Sequence, residues 1–142
     1  MKKLILMLTV SCFAFVSCNS VKNTKSDLTS LEGSWELNYI TGPRIAFQGL
    51  YPDEKPTIMF DLKADLVSGG TSCNRYSGKP NIDGNKINFK NDMALTRMYC
   101  PGEGESIYLA TLQKIDSYAV SKDGKTLSFM IGDIAMMRFT KK

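Results

Sequence analysis

The chain has 142 residues, 18 basic and 14 acidic side chains and no histidine, for a formal net charge of +4. That length suits one domain with one hydrophobic core. The basic residues are scattered, without the clustered stripe that nucleic-acid binding requires, and no apolar run reaches the ~18 residues of a membrane-spanning helix.

Met1-Lys2-Lys3 is a short positive opening, and Leu4 to Val16 carries no charge. Such a stretch suits the apolar part of a signal peptide and is too short to span a bilayer. It ends Phe15-Val16-Ser17-Cys18, with a small residue before a cysteine, the pattern that lipoprotein processing reads. Phe15 stands where leucine is usual. Residues 1–17 are therefore expected to be a lipoprotein signal peptide and Cys18 the acylated residue. Residues 18–27, polar after Cys18 except for Val21, are expected to be a tether. The alternative is a plain secretory signal with Cys18 incidental. One acyl chain binds a membrane only marginally, and a diacylglyceryl cysteine with an acylated amine exceeds that threshold. The expected location is the bacterial cell envelope, on the outer membrane facing the periplasm.

The remainder, 28–142, reads as strands with one late helix. Ser34 to Ile40 alternates, with Trp35, Leu37 and Tyr39 on one face. Thr41 to Pro56 is a long connection. Thr57 to Leu62 alternates again, and Leu66 to Arg75 reads as one strand bent at Gly69-Gly70. Asp83-Gly84 signals a hairpin leading to Ile87 and Phe89. Glu105 to Ile115 carries an apolar stripe of Tyr108, Leu112 and Ile115, with Glu103 and Glu105 at its positive end and Lys114 in its last turn. Three strands follow, Ser117 to Ser121, Thr126 to Ile131 and Ile134 to Thr140. The predicted fold is mainly β (α+β), an antiparallel barrel-like curled sheet of seven or eight strands with one helix near residues 103–115. Parallel pairing would need crossover helices that the sequence does not offer.

Cys12 leaves with the leader and Cys18 carries lipid, so Cys73 and Cys100 remain. An oxidising compartment favours their pairing as a disulfide. Two free thiols or half of a metal site are the alternatives, and a zinc site would need about four ligands in a chain without histidine.

Several motifs together resemble one family. Glu32-Gly33-Ser34-Trp35-Glu36-Leu37 is similar to the opening of a META domain, the family of the HslJ-like heat-shock and envelope lipoproteins. Gly70 to Gly78 resembles its G-x-x-G-C-N-x-[FY]-x-G signature, and Thr96-Arg97-Met98-Tyr99-Cys100 its T-[RKL]-M-A-C element. Glu105 to Tyr118 resembles the helix that follows. Ser72 stands where the pattern has glycine, and Tyr99 where it has alanine. The resemblance implies a small barrel-like β domain, often a lipoprotein, with members linked to stress responses or antibiotic tolerance. It implies the paired placement of the cysteines and no established enzymatic activity.

Catalytic residues are not evident. Nucleophilic serine needs a base, and the commonest is absent. Glycoside hydrolysis needs two positioned carboxylates. The acids here sit in turns (Asp53, Asp65, Asp83, Asp123, Asp133) or at the helix start, where solvation and dipole pairing account for them. Ser68-Gly69-Gly70-Thr71 lacks P-loop spacing and reads as a bend rather than an anion nest. Met59, Met93, Met98, Met130, Met136 and Met137 are expected as core fillers rather than a Cu(I) site. No metal and no cofactor is expected. Asn74, Arg75, Thr96 and Arg97 flank the two cysteines and form the candidate binding patch. In the blander alternative, Asn74 and Thr96 bond the backbone at a bend and the arginines are solvated. The expected function is non-enzymatic binding of an envelope protein or small ligand by a monomer anchored to the membrane. A cell-wall or lipid hydrolase and an inhibitor- or chaperone-like module are the alternatives.

Overall fold

The computed structural model describes residues 28–90 and 93–142. The expected signal peptide, acylation site at Cys18 and tether all lie outside the described residues.

A 3-10 turn, Leu28–Leu31, leads into β1 (Gly33–Ile40). A single helical turn, α1 (Phe47–Leu50), precedes β2 (Thr57–Asp61), β3 (Leu66–Gly70), β4 (Arg75–Gly78), β5 (Asn81–Asp83), β6 (Lys86–Asn88) and β7 (Ala94–Leu95). Helix α2 (Gly104–Leu112) follows, then β8 (Ser117–Val120), β9 (Thr126–Ile131) and β10 (Ile134–Lys141). All ten strands join one antiparallel sheet in the order β5-β6-β8-β9-β10-β1-β2-β3-β4-β7, curled into a half-barrel. The predicted fold class is the observed one.

The alternating apolar positions set the inner face. Trp35, Leu37, Ile58, Phe60, Val67, Leu127, Phe129, Met137 and Phe139 are all buried. Phe129 lies at the centre, with ring centroids of Phe60, Phe89 and Phe139 at 6.5, 5.4 and 5.2 Å. Aromatic pairs at these separations add to the area term. Helix α2 contributes buried Tyr108 and Leu112, and Ile115 just beyond it is also buried.

Several local expectations are corrected. Tyr39 does not share the face of Trp35 and Leu37. The β1–β10 register shifts between Leu37 and Tyr39, so Ile40 turns inward and Tyr39 outward under the Arg138 guanidinium, 4.5 Å from its ring centroid. A bulge reverses the phase of every later side chain in the strand. Leu66 to Arg75 is not one bent strand. It is the end of hairpin β3–β4, in which Gly70 pairs with Arg75 and Thr71 to Asn74 form the turn. The helix is shorter than predicted and leaves Lys114 beyond its last turn. The strands outnumber the predicted seven or eight because β5, β6 and β7 span three residues or fewer. The methionines divide, with Met137 buried but Met59 and Met98 exposed.

Gly69 does not serve as a bend. A Cβ there would lie 2.0 Å from the Thr57 carbonyl oxygen and 2.7 Å from the Tyr76 hydroxyl. That carbonyl turns inward to accept from Tyr76 at 3.0 Å, while the Tyr76 and Tyr108 hydroxyls bond each other at 2.7 Å. Only glycine leaves room for this buried polar knot.

Candidate functional site

The hairpin turn after β3 and the segment between β7 and α2 meet at one end of the sheet. Cys73 and Cys100 are joined there by a disulfide, with Cα atoms 6.0 Å apart. Of the four patch residues, Asn74 is the centre. It is 2% exposed, and each polar atom of its side chain is engaged. Its Oδ1 accepts from the Thr96 hydroxyl at 2.7 Å and from the Met98 N–H at 2.8 Å. Its two amide protons serve three acceptors: the Met98 carbonyl at 3.0 Å, Cys100 Sγ at 3.0 Å and Glu105 Oε1 at 3.1 Å. A buried amide is retained where its donors and acceptors all find partners.

The backbone of the turn is closed by Thr71, which is fully buried. Its N–H donates to the Asn74 carbonyl at 2.8 Å, and the Asn74 N–H donates back to Thr71 Oγ1 at 2.9 Å. The Thr71 hydroxyl also contacts Glu105 Oε2. Between them sits Ser72 with φ +89°, a left-handed conformation that favours glycine. On the other side the Arg75 N–H donates to Thr96 Oγ1 at 2.9 Å, and the Thr96 N–H to the Arg75 carbonyl at 3.0 Å. These bonds extend the β4–β7 ladder by one residue.

Asn74, Thr96 and the backbone of Arg75 therefore come together, and Asn74 and Thr96 act inward. Arg75 and Arg97 are exposed, and neither guanidinium makes an ion pair or hydrogen bond among the described residues. Next to Arg97, Met98 is 61% and Tyr99 91% exposed. The segment Arg97 to Tyr99 is thus an exposed loop held by side-chain bonds to Met98 and by the disulfide after Tyr99. Two residues of this site escaped sequence reasoning. The sequence alone places Glu105 in solvent at the positive end of the helix, but its carboxylate receives Thr71 and Asn74. Tyr99 was visible only as a departure from the family pattern. Its exposure had no sequence signal.

Cys73, Cys100 and Glu105 bring two sulfurs and one carboxylate within 4.8 Å. The sulfurs are bonded to each other and offer no thiolate, the form that binds soft metals. One carboxylate remains, which does not make a metal centre. Nor does the buried tyrosine knot supply a base. Burial pushes the Tyr76 and Tyr108 phenols well up, and that of Tyr51 to about 12. All three stay protonated at neutral pH.

Beside the disulfide, the hollow lined by Glu54, Gly70, Ser72 and Asn74 holds only about 40 Å³. Outside β4 and β7 lies a shallow open depression of about 360 Å³ along Arg75, Ser77, Ala94 and Thr96. This end of the sheet therefore presents an exposed surface with only a small hollow in it.

Known structures place this architecture. The chain is similar to a protein from Burkholderia xenovorans solved by NMR, at 23% identity and TM-score 0.62 over 80% of this chain and 86% of that one. A second protein solved by NMR matches at 17% identity and TM-score 0.55, over 78% of this chain and 90% of that one. The crystal structure of a DUF4847 family protein from Bacteroides vulgatus matches at 11% identity and TM-score 0.53, over 80% and 94%. At these identities the likeness is one of fold. No curated protein matches the chain significantly. The META domain model matches residues 26–142. The motifs around Trp35, Asn74 and Met98 all lie within the matched residues, and the chain belongs to the META domain family.

Proposed function

We propose that this chain is a non-enzymatic envelope lipoprotein, acylated at Cys18 and held on the outer membrane facing the periplasm, whose META domain binds an envelope protein through the stapled loop. The observation that carries the binding reading is the division of labour at Asn74. Its side chain is wholly engaged inward, and that leaves Arg75, Arg97, Met98 and Tyr99 outward on a fixed backbone. Arginine, tyrosine and methionine are enriched at protein interfaces, and a rigid platform lowers the ordering cost of binding. The two unpaired guanidiniums favour a partner with an acidic surface. The hollow beside the disulfide holds far less than the ~300 Å³ at which small-molecule pockets begin, and the larger depression along Arg75 and Thr96 is shallow and open, which favours a protein partner at this site.

The anchor rests on the Leu4–Val16 stretch and Ser17-Cys18. A role in stress or antibiotic tolerance follows from the family resemblance. The test has two arms. Mass spectrometry of the protein purified from membranes is expected to find a triacylated Cys18 at the N-terminus, and an unmodified Cys18 or cleavage elsewhere refutes the anchor. Crosslinking in membranes, compared between the wild type and an Arg75→Ala/Arg97→Ala variant of unchanged thermal stability, is expected to lose one defined partner. An unchanged crosslinking pattern refutes the patch. Hydrolysis of a wall or lipid substrate that depends on one acidic residue refutes the non-enzymatic reading.

A further inference from the structure

The curled sheet does not close. Its order begins at β5-β6 and ends at β7, and no ladder joins these ends among the described residues. Phe89 and Lys90 follow β6 at one end, Leu95 lies in β7 at the other, and Leu109 of α2 faces the gap between them. These residues, with Tyr76 and Met93, enclose a slot of about 430 Å³. That volume falls within the ~300–1,000 Å³ range of small-molecule sites.

The lining is graded. Tyr76 and Phe89 are 3% and 2% exposed and form an aromatic floor. Met93, Leu95 and Leu109 are half-buried and form apolar walls. At the rim, Gln113 is neutral and Lys90 is the one charged residue of the lining among the described residues. Both are exposed, and Lys90 has no ion-pair partner among the described residues. An apolar body would remove the floor and walls from water, and an anionic head would meet the ammonium at the mouth.

From this we infer that the seam slot is a second binding site, distinct from the stapled loop, for an anionic amphiphile with an acyl or aryl body and a carboxylate or phosphate-ester head. The loop could lack any protein partner and the slot would keep this chemistry, since Arg97, Met98 and Tyr99 take no part in its lining.

The test is calorimetric titration of the purified chain with decanoate, decyl phosphate and decyltrimethylammonium, all below their micelle concentrations. At least one of the two anions is expected to bind saturably, at least tenfold more tightly than the cation. Which anion is preferred separates a fatty-acid source from a phospholipid one. Lys90→Glu, on an exposed side chain, is expected to weaken the anion at least tenfold without changing the melting temperature. Met93→Trp, which fills the slot, is expected to weaken it as well. Absence of saturable anion binding, equal binding of the cation, or anion binding that survives both substitutions overturns the inference. Chemical-shift changes that avoid Phe89, Leu95 and Leu109 overturn it equally, and serve as the readout if either variant fails to fold.

Discussion

Asn74 holds Met98 in both directions, donating to its carbonyl at 3.0 Å and accepting from its N–H at 2.8 Å. The same side chain also meets Thr96 and Glu105. Truncation to Asn74→Ala leaves several partly buried groups without partners at once. Each such group costs about 1–3 kcal/mol. The partners are half-exposed and water replaces some of them, so the expected loss is about 3 kcal/mol in total by chemical denaturation. A loss below about 0.5 kcal/mol, the range of ordinary surface changes, contradicts the central role given to this residue.

Ser72 carries a strained conformation at the position where the family pattern has glycine. With φ +89°, its Cβ is held in a region that glycine occupies freely. Ser72→Gly is expected to raise stability by about 1 kcal/mol, the relief of strain outweighing the added freedom of the unfolded chain. Thermal unfolding of the two proteins side by side decides it, and a lowered melting temperature is the contrary result.

Gly69→Ala is the opposite case. Here φ permits a side chain, but the new methyl meets the Thr57 carbonyl at 2.0 Å, and backbone cannot step aside without disturbing the β2–β3 ladder. The expected cost is about 3 kcal/mol, at the upper end of overpacking penalties. Tyr76 loses its acceptor if Thr57 moves, so the near-ultraviolet circular dichroism is expected to change together with stability.

The Cys73–Cys100 disulfide spans 27 residues. In the chain-entropy model, closing a loop of that length stabilises by about 3.5 kcal/mol. Replacing both cysteines by serine is expected to cost about that much. It is also expected to speed hydrogen exchange at Met98 while leaving it slow at Phe129, because the staple fixes one loop and the aromatic core holds itself. Equal acceleration at both amides contradicts this separation.

Alkaline pH tests the tyrosine knot. Burial raises the phenols of Tyr76 and Tyr108, and that of Tyr51 to about 12. Between pH 10 and the folded-state values the unfolded chain releases these protons and the native chain keeps them. Stability is therefore fully present below pH 10 and falls as pH rises above it. Each fully buried tyrosine contributes about a tenfold drop in the folding equilibrium per pH unit. Tyr108→Phe is expected to flatten the slope of melting temperature against pH above 10, and an unchanged slope contradicts the assignment.

Much of the fold was legible along the chain. A strand with one buried face writes its period into neighbouring residues, so Ile58 and Phe60, or Leu127 and Phe129, declare themselves locally. Turn glycines and the α2 stripe do the same. The strand edges were less legible: β7 is two residues long, and no periodicity exists over that length. The phase of Tyr39 was not legible at all, because a bulge depends on the partner strand β10 and not on the sequence of β1. The site divided in the same way. Cys73, Asn74, Thr96 and Cys100 stood out as residue types in recognisable spacing. That Glu105 completes the network was decided by tertiary structure alone, since 31 residues separate it from Asn74 and only the curl of the sheet under α2 brings their side chains together. The open seam between the β5-β6 end of the sheet and β7 has the same origin. Within an unbulged strand the sequence determines which face is buried, but whether the two ends of a sheet meet depends on the accumulated twist and length of all ten strands, a quantity that no single segment carries.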